Sequence, residues 1–262
     1  VRTPKGMMPT PFAEQLAEPI GYALGMIHSG LNQFSRFDPA TARRAITLGM
    51  TDIGEIVFLP ALVERLRRDA PGLSLSTVRT TATRLRDDME AGKVDMAIGP
   101  LPELKAGFFQ RRLFRQRYVC LFRKGHPLET AADPMSVYQQ AEHALVLSVG
   151  TGHGRVDDLI AKAGVERRIR VRVPHFVALA DLLESSDLVA TVPEVFARRS
   201  ARRFHLAYRP HPVDLTPIEI RIFWHAKYHR DPANRWLRNL IVRRFGDPEQ
   251  GQAAVTEGRA SG

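Results

Sequence analysis

Two short turns in the sequence carry residue types that suit a bound anion. The first, Gly49-Met50-Thr51-Asp52, follows an apolar stretch and precedes a helical pattern that begins at Ile53. A hydroxyl side chain beside the unpaired N–H groups of a helix start can bind a carboxylate. Thr51 is therefore a candidate ligand contact, although a plain helix cap explains Thr51 equally well. Asp52 favours a capping or first-turn role, because its charge would repel an anionic ligand.

The second turn is Gly150-Thr151-Gly152-His153-Gly154, between a strand pattern and another helical pattern. Its three glycines let the backbone approach a ligand closely, and an imidazole can donate a hydrogen bond to a carboxylate or phenolic oxygen near neutral pH. His153 is therefore a second candidate contact, with a helix-start cap as the alternative. The glycines are weak evidence for a nucleotide, since the Lys-Ser/Thr of a P-loop does not follow.

Other reactive residues do not form a recognisable catalytic set. His225 and His229 are four residues apart, but the glutamate of a metalloprotease motif is absent, which argues against a metal site. Ser185 and Ser186 lie outside any Gly-x-Ser-x-Gly elbow. Cys120 is the only cysteine, which excludes an intrachain disulfide and a thiolate cage for zinc. We therefore expect no enzyme, no metal and no cofactor.

The composition favours a globular protein with an acidic partner. The 262 residues include 38 basic and 28 acidic side chains, for a formal net charge of +10, and 44% are hydrophobic. These values exclude a disordered polyelectrolyte and suit either nucleic acid or a small anion as partner. No apolar run reaches the ~18 residues of a membrane span, and residues 1–10 lack the apolar core of a secretion signal. We therefore expect a cytoplasmic protein with no membrane partner.

Strand and helix patterns alternate from residue 45 onward. The alternation predicts an α/β fold with parallel sheets and a binding site at the carboxyl ends of the strands. Two polar stretches that contain proline, 100–107 and 211–217, are the expected crossovers between two lobes. Residues 247–262 have no apolar periodicity and are expected to form a disordered tail.

A separate helix is predicted ahead of this pattern. Thr10 supplies an N-cap and Pro11 a first helical residue. The apolar residues of the helix recur every three or four positions and form one narrow stripe, which comprises Leu16, Ile20, Leu24, Ile27, Leu31 and Phe34. A narrow stripe favours pairing with another helix, so we predict a dimerisation helix; the alternative is a helix that lies on its own domain.

Seven stretches of the sequence occur in a recognisable order. They are Thr-Pro-Lys-Gly-Met-Met-Pro-Thr-Pro (3–11), Met-Thr-Asp-Ile-Gly-Glu (50–55), Phe-Phe-Gln-Arg-Arg-Leu-Phe-Arg (108–115), Thr-Gly-His-Gly (151–154), Val-Pro-His-Phe (173–176), Ala-Thr-Val-Pro (190–193) and Phe-Trp-His-Ala-Lys-Tyr (223–228). Together they resemble the LysR-type transcriptional regulators, and within them the subgroup that responds to salicylate and other substituted aromatic acids.

The resemblance implies a linker helix followed by a two-lobed effector domain with a periplasmic-binding-protein-like fold. Its parts are a remnant of a DNA-binding wing (1–9), the linker helix (10–36), a first lobe (37–108 and 215–246), a second lobe (109–214) and the tail (247–262). Family members begin with a winged helix-turn-helix that this sequence does not contain. We therefore expect promoter DNA to be read by that module, with only Arg2 and Lys5 near phosphates. A homodimer or homotetramer is also implied, and RNA polymerase is a further candidate partner.

The resemblance also implies an effector cleft between the lobes. It carries effector contacts over to five positions, which are Thr51, Phe58, Phe114, His153 and Ile220. An apolar slot closed by one or two polar groups is the usual design of a small-molecule site. Without the resemblance, Phe58 and Phe114 are ordinary core aromatics.

Two further cleft positions depart from the subgroup. Gln116 stands where a histidine is expected, and Val195 stands where an arginine is expected. The missing cation at Val195 removes a bidentate partner for a carboxylate. The effector is therefore expected to be less acidic, larger or differently placed than in the subgroup.

These observations favour a ligand-responsive transcription regulator, in which a small aromatic compound binds between the lobes and changes subunit packing. A periplasmic solute receptor is the alternative, because it shares the two-lobed architecture. The missing secretion signal and the striped helix argue against such a receptor. An enzyme on the same lobes is the weakest of the three hypotheses, since the cleft candidates include no paired carboxylates and no activated nucleophile.

Overall fold

The computed structural model describes residues 2–3, 6–7, 9–33, 37–79, 82–147 and 154–247. Its strands are β1 (Arg2–Thr3), β2 (Gly6–Met7), β3 (Arg44–Gly49), β4 (Leu73–Val78), β5 (Met96–Gly99), β6 (Phe108–Gln116), β7 (Tyr118–Arg123), β8 (Glu142–Val146), β9 (Arg168–Val173), β10 (Ala190–Pro193), β11 (Leu206–Pro210) and β12 (Ile218–His225). Its α-helices are α1 (Pro11–Gln33), α2 (Asp52–Asp69), α3 (Ala82–Ala91), α4 (Pro134–Gln140), α5 (Arg155–Lys162), α6 (Leu179–Glu184), α7 (Glu194–Ser200) and α8 (Pro232–Phe245).

The first lobe is built on a five-stranded mixed sheet with the order β4-β3-β5-β12-β6. β3 is parallel to β4 and to β5. β12 is antiparallel to β5 and to β6. The sequence predicted parallel sheets. The structure corrects this prediction for β12, which runs antiparallel to both of its neighbours.

The second lobe repeats this arrangement. β7 lies between two antiparallel neighbours, β10 and β11, while β8 is parallel to β9. A parallel bridge between His143 and Val189 joins β8 to the residue before β10. The order β9-β8-β10-β7-β11 therefore matches that of the first lobe in position and direction. The predicted two-lobed α/β fold is confirmed.

The chain crosses between the lobes after β6 and again after β11. β6 pairs with β12 as far as Gln116, opposite Ile218, and so belongs to the first-lobe sheet. The sequence prediction was wrong here, because it began the second lobe at residue 109 and placed the first crossing at 100–107. β6 lies at the sheet edge and its register shifts opposite Ile220 and Arg221. Such a bulge interrupts the alternation by which a strand is recognised.

Three helices, α2, α4 and α8, begin at residues whose side chains cap them. Thr51 caps α2 by accepting a hydrogen bond from the Gly54 N–H at 3.4 Å, and acidic residues occupy the first turn while Arg67 and Arg68 occupy the last. This charge order favours the helix dipole. Asp231 caps α8 by accepting from the Asn234 N–H at 2.7 Å.

Helix α2 is shared by the cores of both lobes. Phe58, Leu62 and Leu66 are buried in the core of the first lobe. Ile53, one turn earlier, is buried in the core of the second lobe, with Val57 packed against it. Burial of one such side chain contributes about 1.5–3 kcal/mol. The start of α2 therefore holds the two lobes together.

The helix predicted at 10–36 is present as α1, after a short antiparallel ladder of β1 with β2. Its apolar stripe is uncovered in the described part of the chain. The exposed fractions of Leu16, Ile20, Leu24 and Ile27 lie between 38% and 57%. Lys5 and residues 34–36 lie outside the described residues. The phosphate contacts of Arg2 and Lys5 stay predictions, as does the pairing of α1 with a second copy.

Pairing through α1 is testable with Leu24→Asp. We expect the oligomer to dissociate toward monomer, because the variant places an unpaired charge in the apolar seam. Sedimentation velocity measures the change. Gln15→Asp adds the same charge on the opposite side of α1 and should leave the oligomer intact. An oligomer that survives Leu24→Asp would show that α1 does not form the interface.

A buried polar cluster lies in the second lobe. His143 is 1% exposed, and its Nε2 donates to the Tyr138 carbonyl at 2.8 Å, while its Nδ1 has no partner among the described residues. His211 lies within hydrogen-bonding distance of Thr191 and accepts from the Val213 N–H. Burial lowers the pKa of both histidines to about 4. Both are therefore neutral in the folded protein near pH 7.

The stability of the fold should consequently fall as the pH drops from about 6.5 to about 4. These histidines have a pKa near 6.5 in the unfolded chain and near 4 in the folded chain. Between these two pH values each histidine lowers the free energy of unfolding by up to about 3 kcal/mol, and above pH 6.5 it has no such effect. Urea unfolding at pH 7.5, 6 and 4.5 measures the slope of the unfolding free energy against pH. His143→Phe should reduce the slope, while His205→Gln, at an exposed position, should keep it. Equal slopes in the parent and in His143→Phe would contradict the assignment.

Candidate effector site

A small cavity lies between the lobes, where α2, β5, β6 and α7 meet. Its volume is about 30 Å³. Its lining residues are Thr51, Ile53, Gly54, Val57, Phe58, Ile98, Gly99, Pro100, Phe114, Gln116, Val195 and Ile220. The structure thus brings six of the seven predicted effector contacts to one cavity. The seventh, His153, lies outside the described residues.

The topology explains why these residues meet. Thr51 follows β3 and Pro100 follows β5, and these parallel neighbours end at the same edge of the sheet. Ligands of open α/β sheets bind at this edge. Phe114 on β6 is paired with Ile220 on β12. Val195, on α7, brings the second lobe to the cavity.

Aromatic rings form one wall of the cavity. The ring centroids of Phe58 and Phe114 are 6.2 Å apart with an interplanar angle of 35°. Phe245 packs edge-on against Phe58 at 4.8 Å. Phe58 is 3% exposed and belongs to the core of the first lobe. Phe58 therefore packs in the core of the first lobe and also lines the cavity.

Two polar side chains face this apolar wall. The Thr51 oxygen already accepts the capping hydrogen bond, which leaves its O–H to donate to a ligand. Gln116 is 8% exposed, and its Oε1 has no hydrogen-bond partner in the described part of the chain. A buried acceptor without a donor costs about 1–3 kcal/mol. A ligand that brings a hydroxyl or N–H donor would remove this penalty.

Charged side chains are absent from the described cavity lining. Glu194 precedes Val195 in the sequence, and its carboxylate receives two hydrogen bonds from Arg117, at 2.7 and 3.0 Å. Arg198 lies 3.4 Å from the same carboxylate. The hydrogen bonds from Arg117 lower the pKa of Glu194, against the opposing effect of burial. The negative charge of Glu194, next to Val195, is therefore already paired with two arginines.

A set of contacts that we call the interlobe latch joins the two lobes. Asp52, in the first lobe, accepts hydrogen bonds from the N–H groups of Phe176 and Val177 at 2.5 and 3.1 Å. Arg79 donates to the Pro174 carbonyl at 2.8 Å and contacts the His175 ring. Residues 174–177 of the second lobe are thus held from two sides.

Sequence reasoning missed the role of both latch residues. It assigned Asp52 to a capping or first-turn position and did not single out Arg79. Asp52 does occupy the first turn of α2, but its carboxylate binds backbone 124 residues away. No local pattern in the sequence could reveal such a contact, because its partners are main-chain groups of another lobe.

The size of the cavity limits what can bind without rearrangement. A volume of about 30 Å³ holds about one water molecule, whereas a cavity that accepts benzene measures about 150 Å³. An aromatic ligand must therefore move the lobes apart or displace side chains of the lining. Movement of the lobes also acts on the latch, because its contacts join the two lobes.

Other kinds of site find no support in the described residues. They contain no group of three His, Cys, Asp or Glu side chains that could hold a metal ion. No described helix is long and apolar enough to cross a membrane.

Comparison with known proteins gives the family. Residues 39–246 match the family described as the LysR substrate binding domain. The chain belongs to the LysR family. Over 249 residues it is 52% identical to the HTH-type transcriptional activator NagR of a Ralstonia species, a match that covers 94% of this chain and 82% of NagR. It is 46% identical over 247 residues to the HTH-type transcriptional activator NahR of Pseudomonas putida, with the same two coverages.

A solved LysR-type structure has the same fold. The probable transcriptional regulator PA0477 from Pseudomonas aeruginosa superposes with a TM-score of 0.72 at 30% identity, covering 92% of this chain and 81% of that one. The chain is therefore a ligand-responsive transcriptional regulator of the LysR type, and the solute-receptor alternative is not favoured.

The interlobe latch can be tested with Asp52→Asn. The variant weakens a charge-assisted contact to two backbone N–H groups, so residues 174–177 should open more often. We expect amide hydrogen exchange at residues 176 and 177 to accelerate about 5- to 30-fold, which corresponds to 1–2 kcal/mol. Asp69→Asn removes a half-buried carboxylate at the other end of α2, where its partner is Arg65 of the same helix, and should leave this exchange unchanged. Unchanged exchange in Asp52→Asn would show that Asp52 does not hold residues 174–177.

Proposed function

We propose that this LysR-type regulator senses a small aromatic compound that carries a hydroxyl or N–H donor and binds in the interlobe cavity. The observation that carries the proposal is the pairing of an aromatic wall, Phe58 and Phe114, with the buried and unpartnered Oε1 of Gln116. An apolar slot with few, directed polar groups is the usual design of a small-molecule site.

Each part of such a ligand has a complementary group. Its ring packs against Phe58 and Phe114, and tilted aromatic pairs gain about 0.5–1.5 kcal/mol beyond area burial. Its donor satisfies Gln116. An acceptor on the ligand receives the Thr51 hydroxyl. His153, outside the described residues, is proposed as a second donor from the opposite lobe, and Ile220 as an apolar contact.

The cavity favours a ligand that is less acidic than a benzoate. The lining contributes no cation in the described part of the chain, and a carboxylate buried without a charged partner is costly. Val195 stands where the aromatic-acid subgroup has an arginine. We therefore propose a phenolic or otherwise weakly acidic aromatic effector.

Binding would regulate transcription through the arrangement of the lobes and subunits. The effector needs more room than the cavity offers, so it stabilises a state in which the lobes are differently spaced. We propose that α1 joins two copies of the chain, that the assembly is a dimer or tetramer, and that it acts on promoter DNA in the cytoplasm without catalytic activity. RNA polymerase is proposed as a further contact of the DNA-bound assembly.

Isothermal titration with matched phenols, anilines and benzoates tests the cavity. Thr51→Val deletes the hydroxyl at constant shape and should weaken binding by about 0.5–3 kcal/mol, whereas Thr51→Ser keeps the hydroxyl and should bind as the parent does. His153→Ala should weaken binding similarly and flatten any pH dependence between about 5 and 8.

The preference for weakly acidic ligands is tested with Val195→Arg. The new cation should shift the preference toward benzoates and salicylates, because Glu194 is already paired with Arg117 and Arg198. Val195→Leu changes size without charge and should not shift it. If Thr51→Val, His153→Ala and Val195→Arg all bind the panel as the parent does, while circular dichroism shows intact folds, the effector does not bind in this cavity.

A further inference from the structure

A second and larger groove lies between the lobes. Its volume is about 740 Å³, within the range of about 300–1,000 Å³ that small-molecule sites occupy. One wall is the segment 100–105, which follows β5 in the first lobe, and the other is α5 in the second lobe. We propose that this groove is a second ligand site, for an amphipathic organic anion such as an aryl or alkyl carboxylate.

Apart from Ile218 at its start, β12 presents to the groove the face opposite to the one that lines the effector cavity. Neighbouring side chains of a strand point to opposite faces. Ile220 lines the cavity, whereas Glu219, Arg221 and Phe223 line the groove. Of the described residues, only Pro100 lines both spaces. The two sites are therefore separate, and this proposal stands independently of the proposed function.

Apolar side chains from both lobes line the groove. Leu101, Leu104 and Phe223 belong to one buried cluster of the first lobe. Val156 belongs to a buried cluster of the second lobe, and Leu159 packs against that second-lobe cluster. These side chains offer an apolar surface for the hydrocarbon part of a ligand. A ligand on this surface would contact both lobes at once.

Three cations border this apolar surface. Lys105, Arg155 and Lys162 line the groove, and none has a side-chain hydrogen bond or ion pair to another described residue. Arg155 and Lys162 are seven residues apart, so they lie on the same side of α5. These groups supply the charge that the effector cavity lacks.

The carboxylates of the groove do not cancel this positive charge. Glu219 is held by Arg112 and Arg115 at 3.2 Å and contacts Arg221. Asp158 is the other carboxylate of the lining, set against four cations, Lys105, Arg155, Lys162 and Arg221. The lining therefore carries four positive and two negative groups. This excess favours a monoanion over a neutral or cationic ligand.

The proposal is tested by titrating the full chain with 1-naphthoate and with the neutral analogue 1-naphthalenemethanol. Arg155→Gln with Lys162→Gln removes two cations and should weaken the 1-naphthoate site about tenfold or more, with little effect on the alcohol. Arg202→Gln with Arg203→Gln removes two exposed cations elsewhere and should have no effect. Leu159→Trp partly fills the groove and should weaken both probes. Circular dichroism checks each fold.

Thr51→Val separates this proposal from the proposed function. A saturable 1-naphthoate site that is lost in the two groove variants and kept in Thr51→Val supports the groove. A site lost in Thr51→Val and kept in both groove variants overturns the groove and leaves the effector cavity standing. Binding that all variants share with the parent, or no saturable binding, also overturns the groove.

Discussion

The structure depends on one constraint, that the first turns of α2 must fit two cores at once. Ile53 is buried in the second lobe, whereas Phe58 and Leu62 are buried in the first. The same turns carry Thr51 at the cavity and Asp52 in the latch. The lobes therefore cannot change their spacing without moving the packing and the polar contacts of this single helix start. A ligand beside it acts on all of them together.

This arrangement makes a small cavity useful for a sensor. A pocket already matched to its ligand would bind without changing the protein, and only differential binding to two states shifts an equilibrium. Here the structure offers about 30 Å³ and leaves the Gln116 oxygen without a partner among the described residues. A wider state that held the proposed ligand would satisfy that oxygen at the cost of interlobe contacts. The free-energy difference between these states is the quantity that a regulator must convert into a changed assembly.

The residues that line the candidate cavity were predicted from one local signal and from the family resemblance. The hydroxyl at Thr51 precedes a helix start, and resemblance placed Phe58, Phe114, Gln116, Val195 and Ile220 in one cleft, where the structure brings them to one cavity. Residues 109–116 were assigned to the wrong lobe because β6, an edge strand with a bulge, lacks clean alternation. The latch was missed because Asp52 and Arg79 bind main-chain atoms about a hundred residues away. Local sequence specifies an element and its caps, whereas contacts between lobes arise only from the complete fold.

The alternation of β12 links the effector cavity to the groove on its other face. Ile220 lines the cavity, and its neighbours Glu219 and Arg221 line the groove. A displacement of β12 therefore changes the lining of both the cavity and the groove. Both spaces are also bounded by both lobes, so each of the two proposed ligands would have its own preferred lobe spacing. Linkage requires that the factor by which one ligand changes the affinity of the other is the same in both directions. Ligands that prefer the same spacing cooperate, and ligands that prefer different spacings compete without touching each other.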